Sequence, residues 1–574
     1  MTGIRMALFA LSTVGGWEIL RRRARFHVRF LPSLAVAAQC CLLLLAGLLN
    51  LLPEMTAVLF AAGLGGLVYY TVREKGKNLL AYGRPEFLFL LAGLLFLLVF
   101  LRGKVFTHYD NFSHWATVVK TMLEDDRFPN FETSLVSYRG YPLGSSVFVY
   151  YAAKLTGGGE PTWMLGQGYM LLTCMLPLFR PEGKNRWPGF LVMLFAGNFF
   201  LDYNVQPTEL LVDTLLPLAG MCALLFAHAY GKTGGRAAPY AALYLVWLTQ
   251  IKNAGIFFAL LAGLAFLVPA RREKKTLWGL GCLAAALLSL LVWNRHCSYV
   301  FAGTGTAQHS LSVSWWETAF QAKSVEDIKH IILKLGEYAF TSSVFWSGVL
   351  LAAGTCLCAL LAAGPDRGRY FRRIALAGGL YLVYQAGLLI MYVFSMPRGE
   401  AFILSSVDRY EKTIVIAMGY LMTAMILKLL AETDRPALIP AAVTALAGLS
   451  LCASLWTAGS VPAAWRYQPY RIGSYDGLEV RTWLSGLKEK HGIPDREDYT
   501  FLIEGWDSDF FYYLGAYVFD TTNVKVMENA AAADLKKIST RYVLIHDREN
   551  EAVRTWLGAA DPEREEKGII CLME

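Results

Sequence analysis

Residues 86–115 read EFLFLLAGLLFLLVFLRGKVFTHYDNFSHW. The first half is apolar after its initial glutamate, and it approaches the roughly 17 to 25 residues that a helix needs to cross a lipid bilayer. The second half changes to a polar and aromatic segment that contains Asp110 and His114. A spanning helix followed at once by an acid, histidines and aromatic rings predicts a membrane protein with chemistry beside the bilayer.

The same alternation of apolar runs and polar connections extends along the whole chain. Of the 574 residues, 55% are hydrophobic and 17% are charged, whereas soluble domains usually carry about 25% charged residues. We therefore predict an α-helical polytopic membrane protein with thirteen spans, or fourteen if residues 6–20 also cross. The segments are 6–20, 31–52, 54–72, 86–101, 162–179, 187–201, 209–229, 238–250, 254–268, 276–293, 341–363, 374–394, 411–430 and 437–457.

Lysine and arginine are distributed unevenly among the short connections. They concentrate in alternate loops, which the positive-inside rule assigns to the cytoplasm: 21–30, 73–85, 180–186, 230–237, 269–275, 364–373 and 431–436. The short loops on the other side contain only Lys252, Arg398 and Arg409. The chain is therefore predicted to lie in the plasma membrane. Its net charge of +8 resides mostly in these short loops, which does not indicate nucleic-acid binding.

Three long polar segments then fall on the extracytoplasmic side. We divide the chain into additional N-terminal transmembrane helices at 1–85, a core at 86–457 with outer loops 102–161 and 294–340, and a domain at 458–574. The loops show helical hydrophobic spacing near 112–123, 142–154 and 324–338. A small α/β domain is predicted from helix-like patterns at 478–490, 508–517 and 531–538 and strand-like patterns at 500–503, 524–527, 542–545 and 568–572.

The candidate catalytic residue is Asp110, which lies with Tyr109 and His114 in the first outer loop. On a helix, Asp110 and His114 would share a face because they are four residues apart. An aspartate that caps a helix beside a belt of interfacial aromatic rings explains the same pattern without any chemistry.

Further ionisable residues are expected at the same depth. Glu209 and Asp213 lie at the outer end of their predicted span, and their spacing predicts a common helical face. Lys252 interrupts a long apolar stretch, which predicts two short helices that meet at a polar apex. Arg398 and Arg409 lie in the short loop before a late span. Such residues are costly beside a bilayer unless they face a polar cavity or each other, so we predict a polar pocket on the outer side.

This arrangement resembles the GT-C superfamily of polyprenyl-phosphate-sugar-dependent glycosyltransferases, which includes protein O-mannosyltransferases and aminoarabinose transferases. In that superfamily a catalytic aspartate follows a span in the first outer loop, as Asp110 does here. The sequence TQIKNAG at 249–255 is similar to a lysine-containing polar break, and SSVDRY at 405–410 resembles an Arg-Tyr motif whose arginine contacts the carrier phosphate. The resemblance covers roughly residues 86–457, and it departs from the family where Asn111 follows Asp110 instead of a second acid.

The resemblance implies an inverting glycosyltransferase that moves a sugar from a polyprenyl-phosphate donor to a glycan, lipid or protein acceptor of the cell envelope. Asp110 would deprotonate the acceptor hydroxyl as it attacks. The donor phosphate would be bound by Arg409, Lys252 and Arg398. The other pocket residues are Tyr109, His114, Glu209 and Asp213. Several of these offer ligand types that suit Mg²⁺ or Mn²⁺, so a divalent cation is left open.

Three other functions fit parts of the pattern. A transporter or flippase for a lipid-linked sugar would use broken helices and charges near the bilayer midplane, although the two halves of the chain show no repeat. A polymerase or ligase of the O-antigen type also uses lipid-linked donors, and it is expected to place paired arginines in large outer loops. A non-catalytic membrane scaffold would use residues 458–574 for sensing.

Overall fold

The computed structural model describes residues 2–133, 135–180, 185–303, 313–434, 436–460, 466–473, 475–505, 507–558 and 568–573. Residues 304–312 of the predicted outer loop 294–340 lie outside these ranges. The chain divides into two compact units, of which the first consists of Met1–Gly103, Asp126–Phe128 and Gly140–Tyr467. The second consists of Lys104–Asp125, Pro129–Arg139 and Gln468–Glu574, so part of the first predicted outer loop folds with the C-terminal region.

The first unit is built almost entirely from α-helices. In the described ranges of both units the α-helices are Thr2–Ala24 (α1), Leu31–Leu48 (α2), Leu52–Arg73 (α3), Pro85–Phe100 (α4), Ala116–Asp125 (α5), Ser146–Thr156 (α6), Glu160–Met175 (α7), Arg186–Asp202 (α8), Leu215–Tyr230 (α9), Ala238–Ile251 (α10), Gly255–Arg272 (α11), Thr276–Val300 (α12), Val313–Gln321 (α13), Val325–Thr341 (α14), Ser343–Ala362 (α15), Arg367–Ile390 (α16), Arg398–Ile403 (α17), Val407–Glu432 (α18), Leu438–Thr457 (α19), Gly477–His491 (α20), Ser508–Phe519 (α21), Ala532–Leu535 (α22) and Glu551–Gly558 (α23). Every predicted span and every predicted amphipathic stretch overlaps one of these helices.

Nine helical segments of the described residues are long and apolar enough to cross a membrane, namely Val28–Leu48, Leu52–Arg73, Leu215–Arg236, Gly255–Arg272, Thr276–Val300, Val325–Ala362, Gly364–Ser395, Val407–Glu432 and Leu438–Thr457. This number is smaller than the number of predicted spans because several of the helices are short. Helices α7, α8 and α10 have 16, 17 and 14 residues. At about 1.5 Å per residue, fourteen residues extend about 21 Å, whereas the hydrocarbon core is about 30 Å thick.

The predicted interruption between α10 and α11 is confirmed. Lys252 has an extended backbone, with φ −160° and ψ 153°, and the next helix begins at Gly255. The Gly144 amide donates a hydrogen bond of 2.6 Å to the Gln250 carbonyl at the end of α10. A Cβ atom at Gly255 would lie 1.9 Å from the Leu248 carbonyl oxygen. Only glycine therefore allows the two helices to approach so closely at this turn.

The second unit contains the predicted α/β domain. Its strands are Arg471–Ile472 (β1), Tyr475–Asp476 (β2), Tyr499–Ile503 (β3), Val524–Glu528 (β4), Tyr542–Ile545 (β5) and Ile570–Leu572 (β6). The last four form one parallel sheet in the order β4-β3-β5-β6. Strands β3 and β5 are buried at every position, as expected for central strands covered on both faces. Helix α23 and the β1–β2 pair were not predicted, and strands of two residues are too short to show a periodicity.

The early segment of the second unit contributes to the core of that unit. Phe112 is 1% exposed, and its ring centroid lies 5.3 Å from that of Tyr517. The Arg481 guanidinium lies 5.8 Å from the Phe112 ring and 5.2 Å from the Tyr517 ring. Lys120 donates a hydrogen bond of 2.9 Å to the Tyr517 carbonyl across 397 sequence positions, and it lies 3.3 Å from the Asp520 carboxylate. The C-terminal region thus buries aromatic surface against a segment far earlier in the chain.

A fragment of residues 468–574 should be unstable when expressed alone, because it lacks the packing partner of Tyr517 and Arg481. Loss of a buried phenylalanine costs about 3–5 kcal/mol, which is a large part of the stability of a small domain. An excess of a synthetic peptide of residues 104–125 should raise the melting temperature of the fragment, measured by circular dichroism.

A matched peptide that carries Phe112→Ala and Lys120→Ala should leave that melting temperature unchanged. If the fragment alone melts cooperatively at a temperature that neither peptide alters, residues 104–125 do not contribute to its core.

Candidate functional site

The interval between α8 and α9, residues 203–214, is non-helical, and it is buried except at the half-buried Asn204 and Gln206. The Val205 amide donates a hydrogen bond of 3.2 Å to the Thr214 hydroxyl, which joins the two ends of the interval. Glu209 and Asp213, which lie within it, are 6% and 3% exposed. Two acids are therefore held away from water by chain that has little regular structure.

The expectation that Glu209 and Asp213 share a helical face is wrong. Helix α9 begins at Leu215, six residues after the predicted start of this span. Pro207 lacks an amide hydrogen and disfavours helical backbone at the residue before it. The Thr214 hydroxyl is occupied by a local backbone amide, an interaction that competes with helix formation.

Asp213 forms an ion pair with Lys252, and the structure thereby brings together two predicted pocket residues. The Lys252 Nζ lies 2.8 Å from the Asp213 Oδ1, and the two side chains are 12% and 5% exposed. Lys252 reaches this position because α10 ends at Ile251 and the backbone becomes extended. Each ion offsets part of the cost of removing the other from water.

Arg409 shares the same carboxylate. Its Nε lies 3.5 Å from the Asp213 Oδ2. Arg409 is in the first turn of α18, after a loop in which Leu404 and Ser406 have positive φ angles of 54° and 60°. The Thr413 hydroxyl lies 3.1 Å from the Arg409 carbonyl and 3.3 Å from the Asp213 carbonyl. The strained loop and Thr413 together fix the start of α18 beside Asp213.

Tyr410 completes a group that we call the Asp213 cluster, which consists of Asp213, Lys252, Arg409 and Tyr410. The Lys252 Nζ lies 5.0 Å from the centre of the Tyr410 ring, and the Arg409 guanidinium carbon lies 5.8 Å from it. A cation within about 6 Å of an aromatic face is attracted to the ring electrons. Two cations that converge on one carboxylate form an arrangement that suits a phosphate oxygen.

Arg398, the third predicted phosphate ligand, is paired with Asp327. Its Nε and Nη2 lie 2.7 and 3.1 Å from the two carboxylate oxygens of Asp327, which is a bidentate arrangement. Asp327 also accepts a hydrogen bond of 2.9 Å from the Ser324 amide, within a capping box at the start of α14. Arg398 thus connects α14 with α17, and its role in phosphate binding stays a prediction.

Asp110 and His114 lie in the second unit. Asp110 is half-buried, and its amide donates a hydrogen bond of 3.0 Å to the His108 Nδ1. Residues Asn111–Trp115 form one turn of π-helix, which is wider than the α-helix expected from the spacing of Asp110 and His114. Single π-turns inserted in helices occur frequently at functional sites.

Aromatic rings surround the other predicted residues of this segment. The Tyr109 ring lies edge-on to that of Tyr513 at 5.2 Å, and burial raises the pKa of Tyr109. His114 is 1% exposed, and its ring centroid lies 4.8 Å from that of Trp115 and 6.2 Å from that of Tyr138. The raised pKa keeps the Tyr109 hydroxyl protonated at neutral pH, so this hydroxyl is suited to donating a hydrogen bond.

Glu411 has a buried polar network that the sequence analysis missed. Its side chain is 0% exposed, and it accepts hydrogen bonds from the Ser342 hydroxyl at 2.7 Å, the Gln385 amide at 3.2 Å and the Tyr381 hydroxyl. The predicted span began at Glu411, whereas α18 begins four residues earlier at Val407, which places Glu411 one turn inside the helix. The sequence signal that could have identified Glu411 as a buried polar group is an acidic residue directly before a long apolar run.

No protein-family model matches this chain, and no curated protein matches it. Across the part of the chain that the structure describes, no group of three or more His, Cys, Asp or Glu side chains is placed to hold a metal ion. The Asp213 cluster, with one carboxylate and two cations, has a composition that suits an anionic ligand.

Replacing Asp213 should destabilise the protein more than replacing Lys252. In Asp213→Leu both cations lose their carboxylate, whereas Lys252→Met leaves the pair between Asp213 and Arg409. Breaking a buried pair costs about 3–5 kcal/mol because an uncompensated charge stays buried. The melting temperature of the full-length protein in detergent measures this difference.

The double variant Asp213→Leu with Lys252→Met should recover part of the loss, because it removes the Lys252 cation that Asp213→Leu leaves without this carboxylate. A double variant that is less stable than Asp213→Leu alone would contradict a shared carboxylate.

Proposed function

We propose that the protein is a multi-pass plasma-membrane protein and an inverting glycosyltransferase that uses a polyprenyl-phosphate sugar on the extracytoplasmic face. The nine long apolar helices among the described residues support the membrane placement. The uneven distribution of lysine and arginine supports the orientation. The observation that carries the proposal is the Asp213 cluster, in which Lys252 and Arg409 lie beside one acid.

The cluster suits the phosphate of a lipid-linked donor. Lys252 and Arg409 are already oriented towards one carboxylate, so a phosphate that replaces this carboxylate meets two positioned donors. Hydrogen bonds to charged groups contribute about 1.5–3 kcal/mol each. Because the donors are held before the reaction, they stabilise the charge that grows on the leaving phosphate without reorganising.

In the proposed reaction, the acceptor hydroxyl oxygen attacks the anomeric carbon while the bond from that carbon to the phosphate oxygen breaks. The electron pair of the broken bond stays on the phosphate, which leaves as polyprenyl phosphate. The hydroxyl proton passes to a general base, the role that the resemblance of the sequence assigns to Asp110. A single displacement of this kind inverts the anomeric centre.

Replacing Arg409 by alanine should weaken donor binding by about 10-fold or more, because one charge-assisted contact to phosphate is lost. The affinity of the full-length protein in membranes for a panel of polyprenyl-phosphate sugars measures this effect. Arg102→Ala serves as the control, since Arg102 is an exposed arginine that follows α4. Unaltered donor affinity in Arg409→Ala would remove its phosphate role.

Replacing Asp110 by asparagine should reduce glycosyl transfer by about 10²–10⁴-fold, because asparagine cannot accept the proton. Donor affinity should stay at the wild-type value, since Asp110 has no part in phosphate binding. Asp125→Asn is a matched control, because Asp125 is an exposed acid of the same segment. Wild-type transfer rates in Asp110→Asn would eliminate it as the base.

A transporter of lipid-linked sugars is the second candidate, and one observation favours it. The intervals between α8 and α9 and between α10 and α11 are joined by the Asp213–Lys252 pair. Discontinuous helices that meet at charged groups are typical of substrate sites in secondary transporters. Reconstituted vesicles distinguish the two functions, because a transporter moves the donor across the bilayer without an acceptor, and Asp110→Asn leaves that flux unchanged.

A further inference from the structure

A cavity of about 340 Å³ lies in the first unit, where α4 and α8 begin and α18 ends. The Asn185 side chain spans part of its wall and donates hydrogen bonds of 2.9 and 3.3 Å to the carbonyls of Leu430 and Thr433. These bonds hold the start of α8 against the end of α18. The cavity is thus formed by helix ends that are tied together.

Three arginines line this cavity, namely Arg84, Arg180 and Arg186. Arg84 lies 3.3 Å from the His27 ring nitrogen. Arg180 and Arg186 are exposed residues, and no described acid lies within ion-pair distance of either, although the charge of Glu432 also acts on Arg180. The cavity therefore presents positive charge that a ligand can neutralise.

Glu86 supplies an independent indication of a ligand. It lines the same cavity and is 3% exposed. Its Oε1 is buried and has no hydrogen-bond partner among the described residues. A buried acceptor without a donor is costly and rare in folded proteins, so a ligand that brings a hydroxyl or an ammonium group would satisfy it.

Two helix N-termini reinforce the positive potential. Helix α4 begins at Pro85 and helix α8 begins at Arg186, and both residues line the cavity. The first turn of a helix carries a partial positive charge, although in α4 the Phe87 and Leu88 amides already donate to the Arg84 carbonyl. Both N-termini favour an anion in this cavity, with phosphate as a common ligand of such helix ends.

We propose that this cavity binds the headgroup of an anionic phospholipid, with the phosphodiester on the arginines and a headgroup hydroxyl donating to Glu86. Arg84, Arg180 and Arg186, which line the cavity, belong to loops that the positive-inside rule assigns to the cytoplasm, so the lipid belongs to the cytoplasmic leaflet. Leu80, which lines the cavity and is 77% exposed, provides apolar surface for the glycerol backbone and chains. The proposal rests on the membrane placement and is independent of the glycosyltransferase activity.

The test is a titration of the delipidated full-length protein in detergent with three soluble probes. Dioctanoyl phosphatidylglycerol has the phosphodiester, the hydroxyls and the chains, dioctanoyl phosphatidylmethanol lacks the hydroxyls, and glycerol 1-phosphate lacks the chains. We expect phosphatidylglycerol to bind about fivefold more tightly than phosphatidylmethanol and at least about tenfold more tightly than glycerol 1-phosphate. Arg180→Gln with Arg186→Gln should weaken phosphatidylglycerol binding by about tenfold or more.

Two variants make the result specific. Arg271→Gln with Arg272→Gln removes the same charge from exposed arginines at the end of α11 and should leave the affinity unchanged. Glu86→Ala should abolish the preference for phosphatidylglycerol over phosphatidylmethanol while binding of both persists. Wild-type affinity in the Arg180 and Arg186 variant overturns the proposal.

The remaining outcomes are equally decisive. A wild-type protein that does not distinguish phosphatidylglycerol from phosphatidylmethanol overturns the role of Glu86. Glycerol 1-phosphate that binds as tightly as the lipid assigns the cavity to a free phosphate ester and overturns the lipid source. Donor affinity at the Asp213 cluster is measured separately, so failure here leaves the proposed function standing.

Discussion

The Asp213 carboxylate is the group on which the arrangement of the central helices depends. It lies in the interval between α8 and α9, and it is paired with Lys252 from the α10–α11 break and with Arg409 from the first turn of α18. At each of these three places the hydrogen bonding of a helix is interrupted, and a charged side chain is held away from water. A buried unpaired charge costs several kcal/mol, so the three interruptions are stable because they share one site.

The sharing of the Asp213 carboxylate by Lys252 and Arg409 also bears on which ligands the Asp213 cluster can bind. The Asp213 carboxylate is shared by two cations, and the Tyr410 ring adds to the stabilisation of their positive charge. In the proposed function, an anion binds beside Asp213 or in its place. The Thr413 hydroxyl lies within hydrogen-bond distance of the backbone carbonyls of both Arg409 and Asp213. The start of α18 therefore stays attached to the backbone at Asp213 even when a ligand displaces the Asp213 side chain.

Much of the helical and sheet structure could be predicted because it is encoded in local patterns. Apolar runs of sufficient length gave the helices, and the polar residues around Lys252 gave the break between α10 and α11. The start of α9 was not predictable in this way, because it depends on a side-chain hydrogen bond between Val205 and Thr214 that competes with the helix.

Contacts between distant positions were beyond the reach of the sequence patterns. Arg398 was expected among phosphate ligands, but its bidentate partner Asp327 lies 71 positions away. Lys120 and Tyr517 are 397 positions apart, and no periodicity marks residues 104–125 as part of the C-terminal core. The residue types in the candidate site were recognisable because ionisable residues are unusual beside long apolar runs, whereas their pairing depends on the folded chain.

The two proposed binding sites of the first unit differ in how their cations are balanced, and this difference would set their selectivity. In the Asp213 cluster the cations already have an internal partner, so a ligand must compete with a carboxylate held at 2.8 Å from Lys252. Such a site favours a ligand with oxygens that reach both cations at once. Arg180 and Arg186 are exposed and have no described acid at ion-pair distance, although the charge of Glu432 acts on Arg180. In the proposed site any anion would gain from binding there, and salt would screen the attraction. Selectivity in the cavity must therefore come from the buried Glu86, which favours a ligand that carries a hydrogen-bond donor.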